Sequence, residues 1–220
     1  MVPRRRFCLG LGLLLTAPLF PAAAQPSGPP PLGSWFDPTQ LPSFTGTVER
    51  WLINPAGAYD RMLFREGAQV VFPPHLSETM REAAPPGQPI TIWGVRARGA
   101  PVVTMLAWST GPDREPSFVD RPAWFTPTDA RGTTPQQISG TIRVPLYSPQ
   151  GDTIGAILTD GSVLRMPAEA AEGRVTAGRK IAASGPGSRR DEMVALDVER
   201  IGPDPEHLEP LATPRAERRP

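Results

Sequence analysis

Apolar and polar residues alternate in short runs along most of this chain, and the runs come twice in the same order. Thr45–Ile53, Arg61–Arg65, Ala68–Phe72, Ile90–Val95 and Val102–Trp108 each read as strands. Between the third and fourth runs the period changes. Leu76, Met80 and Ala83 recur at spacings of four and three, which predicts a helix over Pro74–Ala84. Pro73-Pro74 opens it and Pro85-Pro86-Gly87 stops it. Turn chemistry separates the strands: Asn54-Pro55-Ala56-Gly57 joins the first two. Glu66-Gly67 reads as a two-residue hairpin turn in which glycine supplies positive φ.

The second set of runs is a weakened copy of the first. At an offset of 94, Phe44-Thr45-Gly46-Thr47-Val48 lies on Ile138-Ser139-Gly140-Thr141-Ile142, and Gly57, Gly67 and Pro73 lie on Gly151, Gly161 and Pro167. A three-residue deletion resets the offset to 91, after which Ile90, Gly94, Val103 and Met105 fall on Ile181, Gly185, Val194 and Leu196. Retained glycines and apolar positions under drifting charges mark a duplicated fold. The shorter Pro167–Val175, which carries Gly173, shrinks the second helix to about a single turn.

Five strands with a helix between the third and fourth resemble the OB-fold, a Greek-key barrel whose bottom the helix plugs. An SH3-like barrel also strings five strands but lacks that helix. The expectation is an all-β chain of two tandem five-stranded OB-like barrels. The whole chain is similar to exported bacterial proteins carrying OB-like modules. That resemblance implies a fold and a compartment and brings no catalytic residue with it.

The ends support export. Arg4-Arg5-Arg6, an apolar run from Phe7 to Phe20 and Ala22-Ala23-Ala24 read as a signal peptide over residues 1–24, too short to span a bilayer permanently. Arg4-Arg5-Arg6-Phe7-Cys8-Leu9 resembles a twin-arginine signal, so the Tat and Sec routes both stay open to a periplasmic or secreted destination. A Pro-rich leader spans 25–43, the repeats 44–109 and 138–202, a long connection 110–137, and a tail expected to be disordered 203–220. Cleavage removes the single cysteine, Cys8, and with it any disulfide or thiolate metal site. It also takes three of the 23 basic residues, leaving 20 against 22 acidic ones, a charge of −2.

Alternation also assigns faces. With Val70 and Phe72 inside, a two-residue turn pairs Leu63 with Val70 and turns Met62, Phe64, Gln69 and Val71 outward. Ile90, Ile92, Val103 and Met105 then point in, and Trp93, Leu106 and Trp108 out. The same positions in the second repeat include Ala156, Leu158, Arg165, Ser184, Asp197 and Glu199, so only the first barrel has an apolar outer wall. A wall of Met62, Phe64, Trp93 and Trp108 needs a cover. The candidates are the second barrel, Trp35-Phe36, Trp124-Phe125, or an external protein or small ligand on the β2–β3 face that OB-folds commonly use.

Charge argues against nucleic acid: the first repeat carries six basic to five acidic residues and the second eight of each. Without a basic excess the counterion-release contribution to such binding is small. His75, at the start of the predicted helix, is the one candidate for chemistry, with Asp60 or Glu78 as a carboxylate partner. No triad or zinc motif accompanies it, and no catalytic residue, metal ligand or cofactor is read from the sequence. The leading reading is a non-enzymatic periplasmic binding or scaffolding module. The alternatives are a single-stranded nucleic-acid binder and, third, a hydrolase using His75.

Overall fold

The computed structural model describes residues 37–121 and 132–211. The signal segment, most of the leader with Trp35-Phe36, the Trp124-Phe125 pair and residues 212–220 lie outside the described residues. The first barrel comprises β1 (Ser43–Ile53), β2 (Tyr59–Phe64), β3 (Gln69–Val71), α1 (Ser77–Ala83), β4 (Pro89–Arg96) and β5 (Val102–Ser109). A 3₁₀ turn over Pro74–Leu76 leads into α1, as proline at the first helical positions favours. The strands run in the order β3-β2-β1-β4-β5, and a parallel β3–β5 pairing closes the ring. This is the OB topology.

The second barrel repeats it with β7 (Thr134–Tyr147), β8 (Thr153–Leu158), β9 (Val163–Arg165), α2 (Ala168–Ala171), β10 (Lys180–Arg190) and β11 (Met193–Asp197). A parallel β9–β11 pairing and an antiparallel β10–β11 pairing close it. Three short strands are additions. One is β6 (Ser117–Phe118), paired with β5; the others are β12 (Arg200–Gly202) and β13 (Glu209–Pro210), a hairpin on the edge of β10. The stretch expected to be a disordered tail therefore begins as structure: β13 pairs with β12, and Leu211 packs on the second core. Among the described residues no helix is long and apolar enough to cross a membrane.

In the first core Trp51 meets Phe72 edge to face at 5.4 Å, and Met80 of α1 is fully buried. Burying one such methionine contributes roughly 1.5–3 kcal/mol, enough to hold a two-turn helix with little stability of its own. In α2 only Ala170 and Ala171 are buried, which suits the shortened segment.

The β2–β3 hairpin departs from the expected one. Gly67 N donates to Phe64 O at 2.9 Å and Phe64 N to Ala68 O at 2.8 Å, so the turn holds three residues, Arg65-Glu66-Gly67, with Gly67 at φ 88°. One extra turn residue slips the register by one and reverses every side chain on β2. Met62, not Leu63, stands opposite Val70. Met62 and Phe64 thus point into the barrel, and Phe64 lies over Gly46, where a Cβ would fall 2.0 Å from its ring. The copy behaves alike, turning Ala156 and Leu158 inward. Trp108 is also inside, because the β4–β5 register shifts beside Trp93 and sets Trp108 opposite the fully buried Ile92.

Candidate functional site

Of the four residues assigned to an outer wall, the structure leaves only Trp93 outside. Met62, Phe64 and Trp108 belong to the first core. Trp93 is half-buried on β4, opposite Ala107, which in turn pairs with the partly exposed Phe118 of β6.

The slipped register gives the β2–β3 wall a different composition: Arg61, Leu63, Gln69 and Val71. All four are buried, although they face away from their own core. Their cover is the second barrel. The buried cluster of the first barrel runs on without a break into Leu146, Ile157, Val163 and Ala195, while Tyr147 packs against Val71, Ala100 and Val102. Gln69 is the polar centre of this seam. Its Oε1 accepts from Arg61 Nη1 at 2.8 Å and from Tyr147 N at 3.2 Å, and its Nε2 donates to Pro145 O at 2.7 Å.

The seam has a pseudo-two-fold axis, visible in which duplicates meet. Glu49 and Arg143 are equivalent positions of the two repeats, and they form an ion pair with each other. Gly57, after β1, sits against Ser188 of β10. Their duplicates, Gly151 and Ala97, sit against each other at the same 3.2 Å spacing from a built Cβ. Each barrel's first turn thus rests on the other's last hairpin. Further polar contacts appear on one side only: Ser188 Oγ donates to Pro55 O at 2.7 Å, and Tyr59 Oη to Asp191 Oδ2 at 3.1 Å. Arg81 and Arg190 lie over the Tyr59 ring at 4.0 and 4.8 Å. Burial raises the Tyr59 phenol above its ordinary pKa, and the bond to Asp191 adds to that.

A further charged cluster of the seam surrounds a cavity of about 70 Å³ walled by Asn54, Asp60, Arg61, Val163 and Arg165. Burial raises the Asp60 carboxyl above its ordinary value, against the pull of Arg61 and a 3.0 Å hydrogen bond from Asn54 Nδ2. Burial likewise brings the Arg61 guanidinium down to about 10, so it keeps its charge at neutral pH. Arg165 is held by Asp197 through two bonds of 2.5 and 2.8 Å.

His75 finds a carboxylate, though not one proposed for it. Its Nε2 lies 2.7 Å from Asp120 Oδ1, in the connection after β6, while Asp60 lies in the seam. Partial burial works against it, but the hydrogen bond with His75 helps hold Asp120 below its ordinary pKa. Among the described residues His75 makes no other side-chain hydrogen bond, and no three His, Cys, Asp or Glu side chains are placed to hold a metal ion.

A second concavity, missed when charge was averaged over each repeat, lies on the far side of the second barrel. Arg174, Arg179, Lys180 and His207 border a groove of about 370 Å³. Strand order, parallel closure and the interposed helix define both units as OB-like barrels. No family model matches the chain, and no curated protein matches it. Among solved structures, a deletion mutant of the single-stranded DNA binding protein from Thermus aquaticus is similar at 16% identity, over 80% of this chain and 96% of that one, with a TM-score of 0.22.

Proposed function

We propose that the chain is an exported, non-enzymatic binding or scaffolding module in which two OB-like barrels work as a single body. The observation that carries this reading is the mutual burial of the β2–β3 and β8–β9 walls. OB-folds take oligonucleotides and oligosaccharides on that wall, and here Gln69, Leu63, Ile157 and Val163 are sealed within the seam. Binding then falls to the outer surfaces that stay open. Export rests on Arg4-Arg5-Arg6, the apolar run after them and Ala22-Ala23-Ala24.

The rival reading, a single-strand binder, draws on the same topology and is tested directly. Labelled oligodeoxythymidine, titrated with the mature protein at low salt, should show no saturable change in anisotropy. Micromolar binding that weakens steeply with salt would favour nucleic acid instead. For the hydrolase reading, turnover of chromogenic esters and phosphoesters that disappears in His75→Ala would overturn the non-enzymatic one. Fusing residues 1–24 to a reporter tests export, and Arg4→Lys with Arg5→Lys blocks it only on the twin-arginine route.

A further inference from the structure

The segment from Arg174 to Lys180 holds three cations and no acidic residue. The fold fixes it in place. Gly178 N donates to Ile142 O at 2.7 Å and Ile142 N to Arg179 O at 2.9 Å, which pins the turn before β10 onto β7. Arg174 Nη1 donates to Ala170 O at 3.0 Å and Arg179 Nη1 to Gly173 O at 3.4 Å, so each guanidinium is oriented by one bond and keeps its other donors. Among the described residues Arg174, Arg179 and Lys180 form no ion pair, and all three side chains are exposed.

The opposite wall is the β12–β13 hairpin. Asp204 Oδ1 accepts from the backbone N–H of Glu206 and of His207, both at 3.0 Å, and lies 2.7 Å from His207 Nδ1. That holds the His207 ring on the rim through its Nδ1, and among the described residues its Nε2 makes no hydrogen bond. Gly202 lets the hairpin fold back so closely that a Cβ there would stand 1.8 Å from His207 O. Between the walls lie the buried side chains of Ile181 and Ile201. The groove therefore pairs three cations with an apolar floor; Glu209 is the one carboxylate in its lining, and Asp204 lies behind the rim, engaged with His207.

We propose that this groove binds a phosphorylated organic ligand, its phosphate held by Arg174, Arg179 and Lys180 and its apolar part lying on Ile181 and Ile201. The inference rests on the reading of the chain as a binding module and names a ligand class for it. Arginine donors fan out in a plane that matches phosphate oxygens, and three cations are balanced by a dianion better than by one carboxylate. The volume is at the lower end for small-molecule sites. Its lining has no Phe, Tyr or Trp, the broad rings on which successive bases of single-stranded nucleic acid stack.

The full mature protein, labelled with ¹⁵N, is titrated with inorganic phosphate, with phenyl phosphate, and with vesicles of phosphatidylglycerol or phosphatidylcholine. Saturating amide shifts confined to residues 173–181 and 201–210 are expected, with phenyl phosphate about tenfold tighter than inorganic phosphate because its ring buries apolar surface. Arg179→Gln with Lys180→Gln should weaken phenyl phosphate at least about tenfold, the loss of two charge-assisted contacts. Its melting temperature should match the parent's, since both side chains are exposed. Arg96→Gln, an exposed cation on the other barrel, should change nothing. Selective binding to phosphatidylglycerol vesicles alone would assign the phosphate to a lipid headgroup and still support the site. Shifts that are absent, spread over all exposed arginines, unchanged in the double variant, or equal for both vesicle types would overturn it. Such a failure leaves the reading of the chain as a binding module standing, since that reading rests on the seam between the barrels and not on these residues.

Discussion

Gln69→Leu is the substitution that most directly tests the seam. Leucine nearly matches glutamine in volume, so packing is conserved while three hydrogen bonds are lost. Arg61 Nη1, Tyr147 N and Pro145 O are each left without that partner in a place where Gln69 itself is fully buried. An orphaned buried donor or acceptor costs about 1–3 kcal/mol, more for a charged one. The three share one environment and will not add in full, so a loss of about 3–5 kcal/mol is expected. Urea denaturation followed by tryptophan fluorescence measures it. The parent should unfold in one transition, and the variant at lower urea, in two steps if the barrels separate before they melt. Were Gln69 on an open wall, as an isolated barrel would have it, the change would stay within about 0.5 kcal/mol. A shift that small would refute the seam.

The facing assignment is checked by Met62→Ala, expected to cost about 2–5 kcal/mol as a core truncation, against Trp93→Ala, expected to cost less because Trp93 is only partly buried. Thermal melts of both decide it, and equal costs would contradict the observed register. Arg143→Glu should lower the melting temperature by setting two carboxylates together, and adding Glu49→Arg should recover most of the loss. Asp60 has a folded-state pKa above its ordinary value of 3.8, so the folded state holds its proton longer and stability falls as pH rises from 3.8 through the folded pKa. The stability of Asp60→Asn relative to the parent should therefore climb with pH over that range and then level off. A flat difference would contradict the burial of Asp60. His75→Ala should change stability by less than about 1 kcal/mol, since its partner Asp120 is half in solvent.

Strand order, the position of the helix and its reduction in the copy were all legible in the alternation and its single change of period. The faces were not, and the cause is local. A Glu-Gly pair serves equally as a two-residue turn or as the last two residues of a three-residue turn with a bulge, and those choices differ by one residue of register. That single step carried Met62 and Phe64 inward. Trp108 followed from the register shift between Trp93 and Gly94, which the glycine inside the strand marks without saying which residues it turns inward. The seam had a trace in the sequence, since Asp60, Arg61 and Gln69 interrupt otherwise apolar strands, but a polar residue buried between domains reads like one facing water. The groove left a plainer signal in the cations at 174, 179 and 180. Counting eight basic against eight acidic residues over the whole repeat hid it, because charge acts over a few ångströms and not over 65 residues.

The ion pair on the pseudo-two-fold axis decides which barrels can join. Two copies of the first barrel brought together through the same patch would place Glu49 against Glu49, and two copies of the second would place Arg143 against Arg143. Like pairing is repelled at its centre, and only unlike pairing is attracted. Within one chain the unlike partner is always present at a local concentration on the order of millimolar, set by the connection between β5 and β7. A self-complementary patch, which ordinarily makes dimers and higher assemblies, is in this way spent inside the molecule. Neighbouring chains can compete for it only by exchanging a barrel, one first repeat for another.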